Sequence, residues 1–139
     1  MTLAQDIARK INNDLKAGAP GGTLDLTEGT VEDFAPTLSG TYSFAIGGGA
    51  GVPEYKRKRV TGRGIEAWLR PHFGPWTPAF VGWWVEDGQV VLDVTTVWTG
   101  TDYADTLTEA LSIAMERGER AIYDFTTKTT LPCPDPATA

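Results

Sequence analysis

Five basic residues crowd into one short segment of the chain. Lys56, Arg57, Lys58, Arg59 and Arg63 lie in YKRKRVTGRG, residues 55–64, which holds no acidic residue. Cations this close repel one another unless an anion sits among them, and the planar arginine fork matches the oxygens of phosphate or carboxylate. A glycine run, Gly47, Gly48, Gly49 and Gly51, precedes them. Backbone N–H groups of glycine loops can cradle phosphate. The run lacks the glycine and Gly-Lys-Ser/Thr spacing of a P-loop. Gly62, Gly64 and Ala67 match a dinucleotide fingerprint only superficially, because no βαβ unit encloses them. The competing reading is a surface loop joined to a solvated charged edge.

Two further sets of residues could carry chemistry. Trp76, Trp84 and Trp98, with Phe80, could stack on a ligand or a partner if exposed. Asp93 and Asp124 each fall mid-strand among apolar neighbours. A carboxyl group held there can have a raised pKa and act as acid or base, or can simply form an ion pair. Several absences narrow the chemistry. One histidine and one cysteine do not make a His/Cys metal site. Ser39, Ser43 and Ser112 lie outside any nucleophile-elbow pattern. No clustered acidic motif suggests magnesium, and no cofactor is expected.

The elements that must position these residues follow from pattern. Residues 2–16 read as a helix capped by Thr2, with Leu3, Ile7, Ile11 and Leu15 on one face and GAPGG as its stop. A short extended piece follows at 23–27. Residues 41–46 alternate as a strand. Thr61 can cap a short helix bearing Ile65, Trp68 and Leu69, which Pro71 should end. Residues 79–98 form two β-rich runs around Asp87-Gly88, a type I′ hairpin turn. That turn sets a register in which Val81, Trp83, Val85, Val90, Leu92 and Val94 form a core face. Trp84 and Asp93 fall on the other face. Residues 102–117 form a helix with Leu107, Ala110, Leu111 and Ala114 inward and Gly118 as its stop. Residues 121–126 form a last strand. The order predicts an α+β fold, a mostly antiparallel sheet of about four strands with helices packed on one face. The domain is expected over 1–131, with a Pro-rich C-terminal tail at 132–139.

The 139 residues carry a net charge of −6. Without the five positive charges of segment 55–64 that becomes −11. Nucleic acid and anionic membranes are therefore disfavoured as partners of the surface as a whole. Cys133 stands alone, so no intramolecular disulfide forms. The N-terminus has no continuous apolar core and does not read as a secretory signal, so the cytoplasm is the expected compartment.

From about residue 22 the chain resembles small uncharacterised proteins of actinobacterial phages and related mobile elements. The resemblance rests on the order of Gly22-Thr23-Leu24-Asp25, Ser39-Gly40-Thr41-Tyr42, Ile65 to Leu69, Val81-Gly82-Trp83, Leu92-Asp93-Val94-Thr95, Glu109-Ala110, Ala114, and Ala121-Ile122-Tyr123-Asp124. It implies a phage setting in a host cytoplasm and supplies no catalytic residues. The residues point to a non-catalytic binding protein that engages a host protein or a small anionic, phosphorylated ligand. Lys56, Arg57, Lys58, Arg59 and Arg63 would supply charge, the glycine run backbone donors, and Trp84 a stacking surface. Two alternatives stand beside it: a small hydrolase or transferase using Asp93 and Asp124, and a structural protein forming a homo-oligomer.

Overall fold

A computed structural model describes residues 2–134. Helix α1 spans Leu3–Lys16, and Thr2 caps it by accepting the Gln5 amide while Gln5 reaches back to the Thr2 amide. The strands are β1 (Gly21–Asp25), β2 (Glu32–Asp33), β3 (Tyr42–Ile46), β4 (Tyr55–Arg57), β5 (Phe80–Glu86), β6 (Gln89–Gly100), β7 (Ala121–Asp124) and β8 (Thr129–Pro132). Helix α2 spans Gly62–Phe73 and α3 spans Tyr103–Glu116. The class is α+β. The expected four-stranded sheet with helices on one face is corrected to an eight-stranded antiparallel sheet, in the order β2-β1-β5-β6-β3-β7-β8 with β4 also on β6. The miscount has a physical source. Strand β1 is expected from sequence only as a short extended piece at 23–27 and begins in glycine. Strand β4 sits in charged sequence where alternation gives no signal, β2 is only two residues long, and β8 runs into the Pro-rich end of the chain.

The hairpin forms in the predicted register, from Val85↔Val90 through Trp83↔Leu92 to Phe80↔Thr95. Asp87 and Gly88 both take positive φ, as a type I′ turn requires. Trp83 is 2% exposed, and Gly22 opposite it leaves room for the indole. Val85 departs from the expected core face, being 46% exposed. It lies one residue pair from the turn; its cross-strand partner Val90, flanked on its other side by Arg57 of β4, stays buried.

Strand β6 runs for 12 residues and serves two half-sheets. Its first half pairs with β5 on one edge and β4 on the other, and its second half pairs with β3. Helices α1 and α2 cover the first half, burying Ile7, Ile11, Ile65 and Trp68 against Val81, Trp83 and Leu92. Helix α3 covers the second half, burying Ala110 and Ala114 against Phe44, Ile46 and Ile122. Thr106, rather than Leu107 or Leu111, completes the buried stripe of α3, because Gly100 lies directly beneath it.

Helix α2 continues through Pro71 to Phe73. Proline there removes a hydrogen bond only in the last turn, and Phe73 beyond it packs against the first core. Pro132 likewise ends the edge strand β8, where no further ladder bond is needed, and the Cys133 amide still donates to the Arg120 carbonyl. Of the expected tail, residues 135–139 lie outside the described residues.

Phe34 touches both Phe80 and Phe125, with ring centroids 5.6 and 4.7 Å away. In a flat sheet the strands flanking these rings would stand about 24 Å apart, at about 4.8 Å per strand. The sheet therefore curls across the face opposite Val81 and Trp83.

Truncation separates a buried from an exposed residue of the same hairpin face. Trp83→Ala is expected to cost about 3–5 kcal/mol in urea unfolding, and Val85→Ala less than about 1 kcal/mol. Equal losses would contradict the exposure of Val85.

Candidate functional site: an arginine groove beside the interrupted strand

Strands β3 and β4 run in the same direction along the same edge of β6. Ile46 pairs with Thr96, and Tyr55 pairs with Leu92. The chain between them, residues 47–54, bulges out opposite Asp93, Val94 and Thr95. The glycine run belongs to this bulge. A Cβ on Gly47 would overlap the Asp93 carboxylate, and one on Gly48 would overlap Glu119. The run is thus packed on carboxylates, an environment that repels phosphate. Its Gly48 N–H donates to Asp93.

Asp93 is 5% exposed and accepts a hydrogen bond from Thr95 Oγ1 at 2.9 Å. Burial pushes its pKa up to about 7; Thr95 opposes this, Glu119 and Glu54 add to it, and the Gly48 amide opposes it. Burial likewise raises Glu119, helped by Glu54, while Arg117 pulls it down. Asp124 behaves differently. Burial alone would raise it, but the Tyr103 hydroxyl at 2.6 Å and the amides of Thr126 and Thr127 hold it below the usual carboxylate range. It fastens the end of β7 to α3. Asp124 pairs through Phe44 with Trp98, five positions along β6 from Asp93. That odd separation places the two side chains on opposite faces, roughly 17 Å apart along the strand. The fold does not bring these carboxylates together.

Strand alternation also divides the basic segment. Lys56 pairs with Val91, which pairs with Trp84, so Lys56 and Trp84 share one face. Lys56 pairs with Glu54 at 3.7 Å, and the Trp84 indole N–H donates to Glu86 at 3.3 Å. Tyr55 and Arg57 point to the other face. Lys58 lies on the bend after β4, outside the groove. Trp98 is half-buried in the second core, and Trp76 is 77% exposed near the end of α2.

On the Tyr55 face, Arg57, Arg59 and Arg63 line an open groove of about 630 Å³ with Glu54, Thr61 and Trp68. Its floor is rigid. Tyr55 stacks on Trp68 with centroids 5.7 Å apart, and the Trp68 indole N–H donates to the Pro53 carbonyl at 2.8 Å. The Arg57 guanidinium lies over the Tyr55 ring, 4.5 Å from its centroid, and donates to the Lys56 carbonyl at 2.7 Å. Thr61 caps α2 by accepting the Gly64 amide, so the first turn of α2 forms one wall. Gly64 is required there, because a side chain would strike Tyr55 Oη. Among the described residues none of the three arginines pairs with a carboxylate, whereas Lys10 pairs with Asp14 and Asp33, and Arg70 with Glu66.

Of the six residues singled out by sequence, the fold gathers Arg57, Arg59 and Arg63 and leaves Lys56, Lys58 and Trp84 elsewhere. Sequence reasoning missed Tyr55, Thr61 and Trp68. The capping position of Thr61 was its one visible signal. No helix among the described residues is long and apolar enough to cross a membrane, and no group of three or more His, Cys, Asp or Glu residues among them could hold a metal ion. Comparison with protein-family models, curated proteins and solved structures finds no match.

The Asp93 setting predicts a pH dependence. Its folded pKa of about 7 lies above the 3.8 of an ordinary aspartate. The folded protein therefore holds a proton that the unfolded chain releases, and this contribution is full at low pH and lost as pH rises from about 4 to about 7. The difference is worth on the order of 4 kcal/mol. Asp93→Asn should gain stability relative to the parent protein across that range, read as urea midpoints at pH 4, 6 and 8. A constant difference would contradict the buried, protonated carboxyl.

Proposed function

We propose that the protein binds an anionic ligand in the groove formed by Arg57, Arg59 and Arg63, without chemical turnover. One observation carries this reading: three guanidinium groups share one groove and none is neutralised by a carboxylate. Among the described residues, Lys10 and Arg70 are paired with acids, while Lys16, Lys58, Arg120 and Lys128 stand singly without an ion pair; only Arg57, Arg59 and Arg63 stand so together in one groove. Leaving three like charges side by side costs stability through mutual repulsion, and an anion removes that cost. Arg57 is the anchor, since its stacking on Tyr55 fixes the guanidinium plane before binding. The separation of Asp93 from Asp124 supports binding over acid-base catalysis by that pair. In the phage setting that the sequence resemblance implies, the ligand would belong to the host cell.

A second reading is supported by Arg57 itself. Strand β4 pairs only with β6 among the described residues, and Arg57 bonds the Lys56 carbonyl beside that edge. Charged residues on an edge strand block pairing with another chain. Under this reading the basic run keeps the protein from associating through β4. Arg57→Ala would then produce concentration-dependent oligomers in light scattering while leaving anion affinity unchanged.

Inorganic phosphate added to ¹⁵N-labelled protein tests the binding reading. The side-chain Nε–Hε signals of Arg57, Arg59 and Arg63 should shift together and saturate, more weakly as salt rises. The double variant Arg59→Ala/Arg63→Ala should lose at least about tenfold in affinity, since each charge-assisted bond is worth about 1.5–3 kcal/mol. Unmoved arginine signals would overturn it.

A further inference from the structure

Resting on the anion-binding reading, we infer that the groove selects a dianionic phosphate monoester, in preference to a phosphodiester, a sulfate ester or a ring-bearing ligand read by stacking. Three features of the groove set this class. The first is charge: three arginines line it, and its one acidic lining residue, Glu54, is paired with Lys56, so the occupant faces up to three uncompensated positive charges. A phosphate monoester carries a charge of about −1.5 to −2 near neutral pH and offers three terminal oxygens. A diester or sulfate ester carries one charge and leaves part of the arginine repulsion uncompensated.

The second feature is the state of the aromatic rings. Tyr55 and Trp68 are 8% and 9% exposed. One face of Tyr55 lies on Trp68 and its ring is overlain by Arg57. Both rings are therefore spent on holding the arginine, and no open aromatic face is left for a base. Trp84, the ring that could have served, is on the opposite side of β4 and β6. Recognition falls to the phosphate group alone, whatever carries it.

The third feature is the surroundings. Without the three groove arginines the net charge of −6 becomes −9. The net negative charge of the rest of the chain opposes a nucleic acid strand, which would extend beyond the three arginines. A single phosphate group reaching into the groove avoids this. The first turn of α2, whose leading amides have no intrahelical acceptor, adds a favourable field at the same wall.

Four probes at pH 7.5 and low salt test the inference by arginine NMR and calorimetry: methyl phosphate, dimethyl phosphate, methyl sulfate, and a capped phosphoserine tripeptide. Methyl phosphate is expected to bind at least tenfold more tightly than dimethyl phosphate or methyl sulfate, and to lose that advantage at pH 5, where it becomes a monoanion. The Asp93→Asn variant, assayed alongside, should keep the same pH profile, so that titration of the ligand is distinguished from titration of the protein. If the phosphoserine tripeptide binds tenfold tighter still, the phosphate comes from a phosphorylated protein. If it binds equally, the source is a free small ester, and either result supports the monoester. Equal affinity for methyl phosphate, dimethyl phosphate and methyl sulfate would overturn the monoester while leaving general anion binding intact. No binding by any probe would overturn both.

Discussion

A carboxyl group buried in the middle of β6 governs where the neighbouring strand can run. Asp93 points away from the helix-covered core and is closed over by the glycines at 47 and 48, with Glu119 and Glu54 beside it. A side chain on the adjoining strand would collide with it. The chain therefore leaves β6 after the Ile46↔Thr96 pair and returns at Tyr55↔Leu92. The phase of that return decides everything in the basic segment. Tyr55 enters on the core face, so Lys56 must face the other way and Arg57 must follow Tyr55. A return shifted by one residue would bury Lys56 and send Arg57 to the Trp84 side.

The groove inherits its rigidity from the first core. Tyr55 and Trp68 belong both to that core and to the groove floor. Helix α2 is held by Ile65, Trp68 and Leu69 beneath and by close approach to α1, where Gly62 meets the backbone of Gln5. Its capped N-terminus is thereby fixed relative to β4. The second core, under α3, lies along the same strand but supplies no groove residue. Its contribution is indirect: Asp124 and Tyr103 lock β7 to α3, and the turn after α3 brings Glu119 to the bulge.

Much of this was legible in the sequence, and what was not has a physical cause. The Asp87-Gly88 turn fixed seven pairings of the hairpin, because a two-residue loop leaves no freedom of register. It also separated Trp83 from Trp84 correctly. The exposure of Val85 was hidden, since alternation tells which face a residue shares but not what covers each position of it. The grouping of Arg57, Arg59 and Arg63 without Lys56 was hidden too. It depends on the point at which β4 rejoins β6, which is set by Asp93, about forty residues away in sequence. The glycine run reads locally as a phosphate loop; only the tertiary neighbours Asp93 and Glu119 reverse that meaning.

Strand phase, rather than local charge density, selects which basic residues share the groove. The most direct test compares Lys56→Ala with Arg57→Ala in affinity for methyl phosphate, with thermal unfolding checked for both. The account predicts that Lys56→Ala stays within about twofold of the parent protein and Arg57→Ala falls at least about tenfold, a difference of about 1.4 kcal/mol or more. Equal losses at the two adjacent positions would contradict it.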